Sequence, residues 1–335
     1  MTCKFNGCNE APLSLSEFCW DHLPDKETYS AKLLEFANTG KKVSGHNLRK
    51  VSLKKANLER VDFSNANLSQ ADMAGSRLFD CNLEGADLVG TNLSDCDLTH
   101  CSFKGADFTK AHLFNARLWN SDLTSSNLSE CDLSFADFWG AKLFNTKLWH
   151  AAIESAKSIT SKNFANPSGF ANNLKIDENG FFSAEESYRE LKRYFLNKGM
   201  YNDASWASFK EKTMERLILK KVRSPSYLPN MVMNLLCGYG ERPDRIVLSA
   251  ISAIFLFAFL YLSFNAIEAS TNPGYRLSWA DNIYFSTITF TTVGFGDFIP
   301  KPYMLFRFLV ALEAFSGVFL TGLFIFTLAR KYSAR

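Results

Sequence analysis

Seven consecutive residues near the C-terminus have the types and spacing needed to point backbone carbonyls at an ion. The stretch reads Thr-Thr-Val-Gly-Phe-Gly-Asp, residues 291–297, and lies between two long apolar segments. Gly294 and Gly296 alternate with larger residues, and glycine accepts the backbone angles that aim successive carbonyls the same way. Carbonyl oxygens in this arrangement can replace the water shell of a dehydrated cation. The glycine spacing therefore indicates a backbone whose successive carbonyls can face the same way.

The same residues resemble the selectivity filter of potassium channels. The resemblance implies that K⁺ is the permeant ion and that residues 292–296 form the filter. The filter and its outer mouth would comprise Thr292, Val293, Gly294, Phe295, Gly296 and Asp297. Two departures from the family bear on filter stability more than on which ion passes. Phe295 lacks the hydroxyl of the tyrosine that many members have, and Ile288 stands where some bacterial channels pair a glutamate with the aspartate matching Asp297.

Two apolar segments flank the filter and are long enough to cross a bilayer. Residues 246–267 contain no charged side chain, and residues 308–329 contain only Glu313. A helix of this length spans roughly 33 Å, against about 30 Å for the hydrocarbon core. The sequence therefore predicts two membrane spans and a location in the lipid bilayer of the cell (inner) membrane.

The segment between the spans is predicted to re-enter the membrane. By resemblance to two-span potassium channels, residues 279–291 are a pore helix whose C-terminal end favours a cation, and residues 269–278 form an extracellular loop. Basic residues precede the first span and follow the second, so both termini are expected in the cytoplasm. These basic residues are Arg242, Arg245, Arg330, Lys331 and Arg335. No secretory signal is expected at the polar N-terminus.

The second span is expected to line the pore of a homotetramer, because each chain would supply a quarter of the channel. Its candidate pore-lining and gating residues are Gly317, Thr321, Gly322 and Ile325. Either glycine could be a hinge, and the alternative is close packing between helices. Glu313 is predicted to hydrogen-bond Thr287 or Thr289 behind the filter, and the alternative is that it faces the cavity and attracts cations.

Residues 51–155 repeat every five positions without a gap. The central residue is always Leu, Phe, Met or Ile, and the residue two positions earlier is small. A period of five fits neither a helix nor an alternating strand. The pattern resembles the pentapeptide-repeat family, which implies a right-handed quadrilateral β-helix with one repeat per face. Four cysteines occupy the small inward position and are predicted to be packing residues, not disulfides; these are Cys81, Cys96, Cys101 and Cys131.

Aromatic side chains recur at an outward position of the repeats. They are Phe79, Phe114, Trp119, Trp139, Phe144 and Trp149. An exposed strip of this kind could dock a partner, and the alternative is that helices of the same chain cover it. Acidic residues only modestly outnumber basic ones in the repeats, so DNA mimicry, known for some pentapeptide proteins, and a nucleic-acid-related role are not expected. Four histidines are predicted to be surface residues: His46, His100, His112 and His150.

The N-terminal segment, residues 1–45, carries a candidate metal site. Cys3, Cys8, Cys19 and His22 have a Cys-x4-Cys-x10-Cys-x2-His spacing that suits a tetrahedral structural Zn²⁺. A segment this short buries little apolar surface, so the metal would supply its folding energy. The alternative is a set of free cysteines in a frayed tail.

Residues 156–242 are predicted to be a helical connector. A capping box at Ser183 and Glu186 would begin a helix that ends at Gly199, and a second helix over residues 203–222 would complete a hairpin. Apolar residues 228–237 suit a helix on the inner membrane surface. This helix would couple mechanically to the first span, or serve only as a tether.

These features predict a mixed membrane protein. Its order would be N-terminal segment (1–45), quadrilateral β-helix (46–155), helical hairpin connector (156–242) and a homotetrameric two-helix plus pore-helix domain (243–335). The net charge of +3 is unremarkable, and the absence of a catalytic constellation argues against an enzyme. A potassium-selective channel subunit is expected, with a non-selective cation channel or a membrane-anchored scaffold as alternatives. The N-terminal domain would gate or only assemble the pore, and a gating role could involve an unidentified ligand or protein.

Overall fold

Two compact units make up the chain, Met1–Met214 and Glu215–Arg335. The computed structural model describes residues 2–39, 42–165, 180–272 and 274–333. Pro273 of the predicted extracellular loop and Arg335, used above for orientation, lie outside the described residues. The boundary between the two units falls inside a helix of the predicted connector.

The repeats form a stack of coils with twenty residues in each. The second residue of each repeat forms a parallel bridge with the equivalent residue one coil later, from Asn47↔Asn67 to Asp137↔Lys157. Because a bridge recurs every five residues, each coil has four sides with one repeat on each, as expected for a quadrilateral β-helix. The chain turns each corner at a residue with positive φ, such as Asn65 (φ 55°) or Gly85 (φ 65°). The apolar core runs from Val43 to Ile159, slightly beyond the predicted limits.

Large and small side chains fill the interior of the coils. Phe63, Phe103 and Phe138 are fully buried at the central position. The four cysteines of the repeats are free and buried at the small position, and the Cys131 thiol donates to the Phe108 carbonyl at 2.8 Å. Burial raises the pKa of Cys131 to about 12, so this thiol stays protonated. These cysteines pack the core, as the sequence predicts.

The N-terminal segment covers the first coil. Asp25 is the N-cap of helix α1 (Lys26–Asn38), and its carboxylate accepts from the Thr28 N–H at 3.0 Å. Tyr29 and Leu33 on α1 join the apolar core of the coils. The Tyr29 hydroxyl also donates to the Ser14 carbonyl at 2.6 Å. The segment therefore closes the open end of the β-helix, where unpaired backbone and apolar side chains would otherwise meet water.

Two helices cover the last coil. Helix α2 (Gly180–Asn197) and helix α3 (Tyr201–Lys221) bury Leu191, Phe195 and Ala207 in the same core as the repeats. The predicted hairpin is present, but most of it belongs to the repeat unit, because its apolar face packs on the coils. Helix α2 begins before Ser183, whose carbonyl accepts from the Ser187 hydroxyl within the helix; Ser183 is therefore not its N-cap. Residues 166–179 of the predicted connector lie outside the described residues.

The C-terminal unit contains helices α4 (Tyr227–Cys237), α5 (Pro243–Phe264), α6 (Trp279–Phe290) and α7 (Met304–Ser333). Strands β1 (Ile267–Ala269) and β2 (Phe298–Pro300) pair antiparallel. Helix α5 ends before the predicted limit because Asn265 adopts a left-handed conformation (φ 48°), which places Ile267 in β1. Helix α7 extends past both predicted ends, and α6 ends one residue early with Thr291 as its C-cap.

Helices α5 and α7 are long and apolar enough to cross a membrane. In the most apolar 18-residue stretch of each helix, only 22% of the stretch is buried in α5 and only 17% in α7. The core helix of a soluble protein would bury most of such a stretch. The exposure therefore favours spans whose outer faces meet lipid or neighbouring subunits.

Candidate functional site

Helix α6 leads directly into residues 292–296, which are the predicted filter and are called the filter below. Its first turn is closed by a capping box in which the Ser278 hydroxyl accepts from the Asp281 N–H and the Asp281 carboxylate accepts from the Ser278 N–H, at 3.2 and 2.7 Å. At its other end, the Ile288 carbonyl accepts from the N–H groups of Val293 and Gly294, at 2.9 and 3.2 Å. The filter backbone thus caps the helix that precedes it, which fixes the position of both.

The filter backbone alternates between left-handed and ordinary conformations. Thr292, Gly294 and Gly296 have φ values of 58°, 51° and 79°, and the residues between them do not have positive φ. An added Cβ at either glycine would meet no atom of the described chain within 4 Å, so the backbone angle, not space, requires glycine there. Left-handed Thr292 is unusual for a β-branched residue, and such strain concentrates at functional sites. The spacing of the two glycines did not predict the left-handed backbone at Thr292.

Contacts on both sides hold the outer mouth of the filter. The Asp297 carbonyl accepts from the Ser270 N–H at 2.8 Å, and strands β1 and β2 connect the end of α5 to this mouth. The Tyr284 hydroxyl of α6 approaches the Asp297 carboxylate. Ile288 is buried among apolar residues of α5 and α6. Tyr284 therefore provides the aspartate with a polar neighbour on the pore helix that Ile288 does not offer, and sequence reasoning missed it.

Glu313 lies behind the filter, but its partners differ from the predicted ones. Its carboxylate is fully buried and accepts from the hydroxyls of Tyr261 on α5 and Ser286 on α6. The predicted Thr287 is exposed, and its hydroxyl donates to the Ile283 carbonyl at 2.8 Å within the helix. Successive side chains on a helix point about 100° apart. A difference of one residue, Ser286 or Thr287, therefore determines which hydroxyl faces α7.

Thr289, the other predicted partner, forms no hydrogen bond with Glu313 among the described residues, where the two carboxylate oxygens accept from Tyr261 and Ser286. Thr289 is buried elsewhere on α6. The cavity-facing alternative for Glu313 is not observed within one chain, since its side chain has no exposed surface. The carboxylate instead connects α5, α6 and α7.

The two glycines of α7 have different surroundings. Gly317 is buried, and a Cβ atom there would overlap the Phe290 carbonyl at the end of α6. Gly317 therefore allows close packing against α6, one of the two predicted roles, and its role as a hinge stays a prediction. At Gly322, a Cβ would meet no atom of the described chain within 4 Å. Thr321 and Ile325 are exposed near Gly322.

Helix α4 is attached to the first span. The Arg245 guanidinium on α5 donates to the Asn234 carbonyl at 2.8 Å, and the Tyr239 hydroxyl donates to the Asn230 side chain at 2.8 Å. Leu228 and Leu235 on α4 are 63% and 69% exposed. Exposed leucines on an apolar helix are compatible with the membrane surface, and that location stays a prediction. The Arg245 hydrogen bond therefore connects α4 directly to α5.

The N-terminal Cys/His group converges in space. The Cys8 and Cys19 sulfurs are 3.8 Å apart, and the His22 Nδ1 atom lies 3.2 Å from the Cys19 sulfur and 3.8 Å from that of Cys3. Tetrahedral Zn–S bonds of about 2.3 Å place two sulfurs roughly 3.8 Å apart. The donor set and its separations therefore fit a structural Zn²⁺, which would complete the fold of a segment with little core of its own.

The aromatic residues of the repeats divide into two groups. Phe114, Trp119 and Trp139 are exposed, and the rings of Trp119 and Trp139 meet edge to face at 6.2 Å. The Trp149 indole instead donates to the Glu186 carboxylate of α2 at 2.7 Å. Part of the predicted strip is thus exposed, as a docking surface would be, and part contacts a helix of the same chain, as in the alternative. The exposed part also includes Phe135, a corner residue that the outward pattern did not identify.

Comparison with known families divides the chain in the same way. Residues 249–334 match the ion channel family. Residues 45–78, 76–113 and 111–149 match pentapeptide repeats, in eight copies. Over 48 residues the chain is 40% identical to the potassium channel protein kcv of Paramecium bursaria Chlorella virus 1. This alignment covers 14% of the chain and 51% of the viral protein, so the chain spans about half the length of that relative.

Solved pentapeptide repeat proteins resemble the N-terminal part. Rfr23 from the cyanobacterium Cyanothece 51142 is 29% identical, covers 39% of this chain and 95% of its own, and has a TM-score of 0.30. A protein of the Arabidopsis thaliana thylakoid lumen is 30% identical over 28% of this chain and 69% of its own, with a TM-score of 0.25. The family matches, the repeats and the two apolar helices lead to one assignment. The chain joins N-terminal pentapeptide repeats to a C-terminal two-span domain of the ion channel family.

Proposed function

We propose that four copies of this chain form a potassium-selective channel in the inner cell membrane, with both termini in the cytoplasm. The observation that carries the proposal is the backbone of residues 292–296. Thr292, Gly294 and Gly296 have left-handed conformations that alternate with ordinary ones, a pattern that suits carbonyls aimed in one direction. Rings of such carbonyls replace the hydration shell of K⁺.

The exposure of the filter in one chain supports an oligomer. Val293 and Phe295 are 54% and 70% exposed although they belong to a segment at membrane depth. Irregular backbone is tolerated at that depth only where protein or a water-filled cavity surrounds it. Neighbouring copies around a four-fold axis supply that protein and complete the ring of carbonyls.

Reversal potentials test this function. Purified protein in a planar bilayer, with potassium on one side and sodium on the other, is expected to reverse far toward the potassium equilibrium potential. A reversal near zero would identify a non-selective cation channel, which the missing Phe295 hydroxyl would explain. Absence of current from correctly assembled protein would favour a membrane-anchored scaffold and contradict any channel.

Matched glycine variants separate the filter from general effects on the protein. Gly294→Ala should abolish the current because alanine is strained at a φ of 51°. Gly274→Ala is the control, since its Cβ would make only an ordinary contact with Asn272 at 3.7 Å. Equal currents from both variants would contradict the assignment of the filter.

The cytoplasmic parts have supporting roles in this proposal. Cys3, Cys8, Cys19 and His22 hold a structural Zn²⁺, and α4 carries movements from the cytoplasmic side to α5 through Arg245. Metal analysis of purified protein tests the zinc site. At least one zinc per chain is expected, and Cys19→Ser should lower the zinc content by one per chain. A zinc content that this variant leaves unchanged would exclude these ligands.

A further inference from the structure

A second group of metal-ligating side chains lies where the last coil meets α2. His150 projects from a corner of the β-helix at which its own backbone is left-handed (φ 54°). Glu186 and Glu190 are one turn apart on α2, so they share a face of that helix. One donor atom from each of the three residues lies within 4.8 Å of the other two. The sequence prediction of His150 as a plain surface residue does not account for this convergence.

The geometry leaves these donors incompletely paired. The His150 Nδ1 atom is 3.8 Å from the nearer Glu190 oxygen, too far for a hydrogen bond. The other Glu190 oxygen is buried and has no hydrogen-bond partner among the described residues. Glu186 is oriented by the Trp149 indole, which donates to one of its oxygens at 2.7 Å and leaves the second available. A buried carboxylate oxygen without a partner is costly, and a cation would remove that cost.

Charges around the group also favour a cation. The carboxylates of Glu186 and Glu190 repel each other, and Arg193 is a cationic side chain that acts on Glu190. Arg193 forms no ion pair of 4.0 Å or less with Glu190 among the described residues. The site remains open to solvent because the His150 side chain is 52% exposed. An ion can therefore reach the carboxylates without unfolding of the coil.

We infer that His150, Glu186 and Glu190 bind a divalent first-row transition-metal ion. One imidazole and two carboxylates form a nitrogen–oxygen ligand set that such ions accept. Bonds of about 2.1 Å place ligand atoms no more than roughly 4.2 Å apart, and the His150 and Glu190 donors, at 3.8 Å, already lie within that limit. The ion would tie the β-helix to α2, in addition to their apolar contacts. The Trp149 indole would keep Glu186 oriented through its hydrogen bond to the other carboxylate oxygen.

Cobalt titration of the purified full-length protein tests this site. Co²⁺ bound to the N-terminal cysteines gives a sulfur-to-metal charge-transfer band, whereas Co²⁺ at a nitrogen–oxygen site gives only d–d absorption. Wild-type protein is expected to bind Co²⁺ in both ways. His150→Ala and Glu190→Gln should weaken Co²⁺ binding at the nitrogen–oxygen site, here called the second class, at least tenfold. They should leave the charge-transfer band unchanged. Glu186→Gln provides a third variant if either of these fails to fold.

His112→Ala is the matched control, because His112 is also an exposed histidine of the coils. This variant should bind Co²⁺ as the wild type does. Thermal unfolding gives a second readout, in which Co²⁺ should raise the midpoint of wild-type protein more than that of His150→Ala. The inference fails if wild-type protein lacks the second class, or if His112→Ala weakens it as much as His150→Ala does.

Discussion

Glu313 holds three helices together through two hydroxyls. Tyr261 and Ser286 donate to its carboxylate from α5 and α6. Loss of one donor to a buried carboxylate costs about 1–3 kcal/mol. Ser286→Ala should therefore lower the thermal stability of the assembled protein and shorten channel openings. Thr287→Ala is the control because Thr287 is exposed and bonded within its own helix. The role assigned to Ser286 would be wrong if both variants unfolded at the same temperature as wild type.

Gly317 and Gly322 should respond differently to the same substitution. Alanine at 317 would overlap the Phe290 carbonyl, so α7 and the pore helix must separate. Overpacking of this kind costs about 1–3 kcal/mol. Gly317→Ala should lower both the yield of assembled protein and the current. Gly322→Ala should assemble normally and change open probability if Gly322 is a hinge.

Gel filtration and single-channel recording distinguish these outcomes. Normal assembly of Gly317→Ala would contradict the packing role, and Gly322→Ala with wild-type opening would remove Gly322 as a hinge.

The sequence identified residues whose types restrict them to one role. Gly294 and Gly296 are predictable because few other residues accept a positive φ, and a charge inside a span marks Glu313 as functional. The partner of Glu313 was not predictable. Hydroxyl residues occur at Ser286, Thr287 and Thr289, and only the rotation of α6 about its axis selects Ser286. That rotation is set by packing, which a local pattern does not contain.

At the scale of elements, α4 is predicted to act on the first span through Arg245. Its guanidinium donates to the Asn234 carbonyl, a charge-assisted bond to the end of α4. Arg245→Ala removes this bond and should change the open probability without moving the reversal potential, since the filter is untouched. Lys220→Ala is the control, because Lys220 is exposed at the end of α3. Identical opening of Arg245→Ala and wild-type channels would make α4 a simple tether.

Elements differ in how far sequence predicted them. The repeats specify their own packing because every fifth side chain meets its equivalent one coil away, so the period alone defines the coil. Strands β1 and β2 are three residues each, too short for a periodic signal. The amphipathic pattern of α2 predicts a helix with an apolar face, but it does not identify the last coil as the surface that the face covers.

At the scale of the whole molecule, the division between units changes which truncation tests gating. Removal of residues 1–155 would leave the apolar faces of α2 and α3 without the coils that bury Leu191, Phe195 and Ala207. Exposed apolar patches of this kind promote aggregation. Removal of residues 1–214 follows the observed boundary and takes most of these faces away. The longer deletion should therefore yield more soluble, assembled protein than the shorter one.

Channels that lack residues 1–214 then test whether the repeat unit controls the pore. They should retain potassium selectivity, because every filter contact described here lies within Glu215–Arg335. Their open probability should differ from that of full-length channels, since α4 would no longer receive forces from the repeats. Bilayer recordings of both proteins at equal ionic conditions measure the two quantities separately. Unchanged open probability in intact tetramers would limit the repeats to assembly, whereas lost selectivity would mean that the pore depends on the N-terminal unit for its structure.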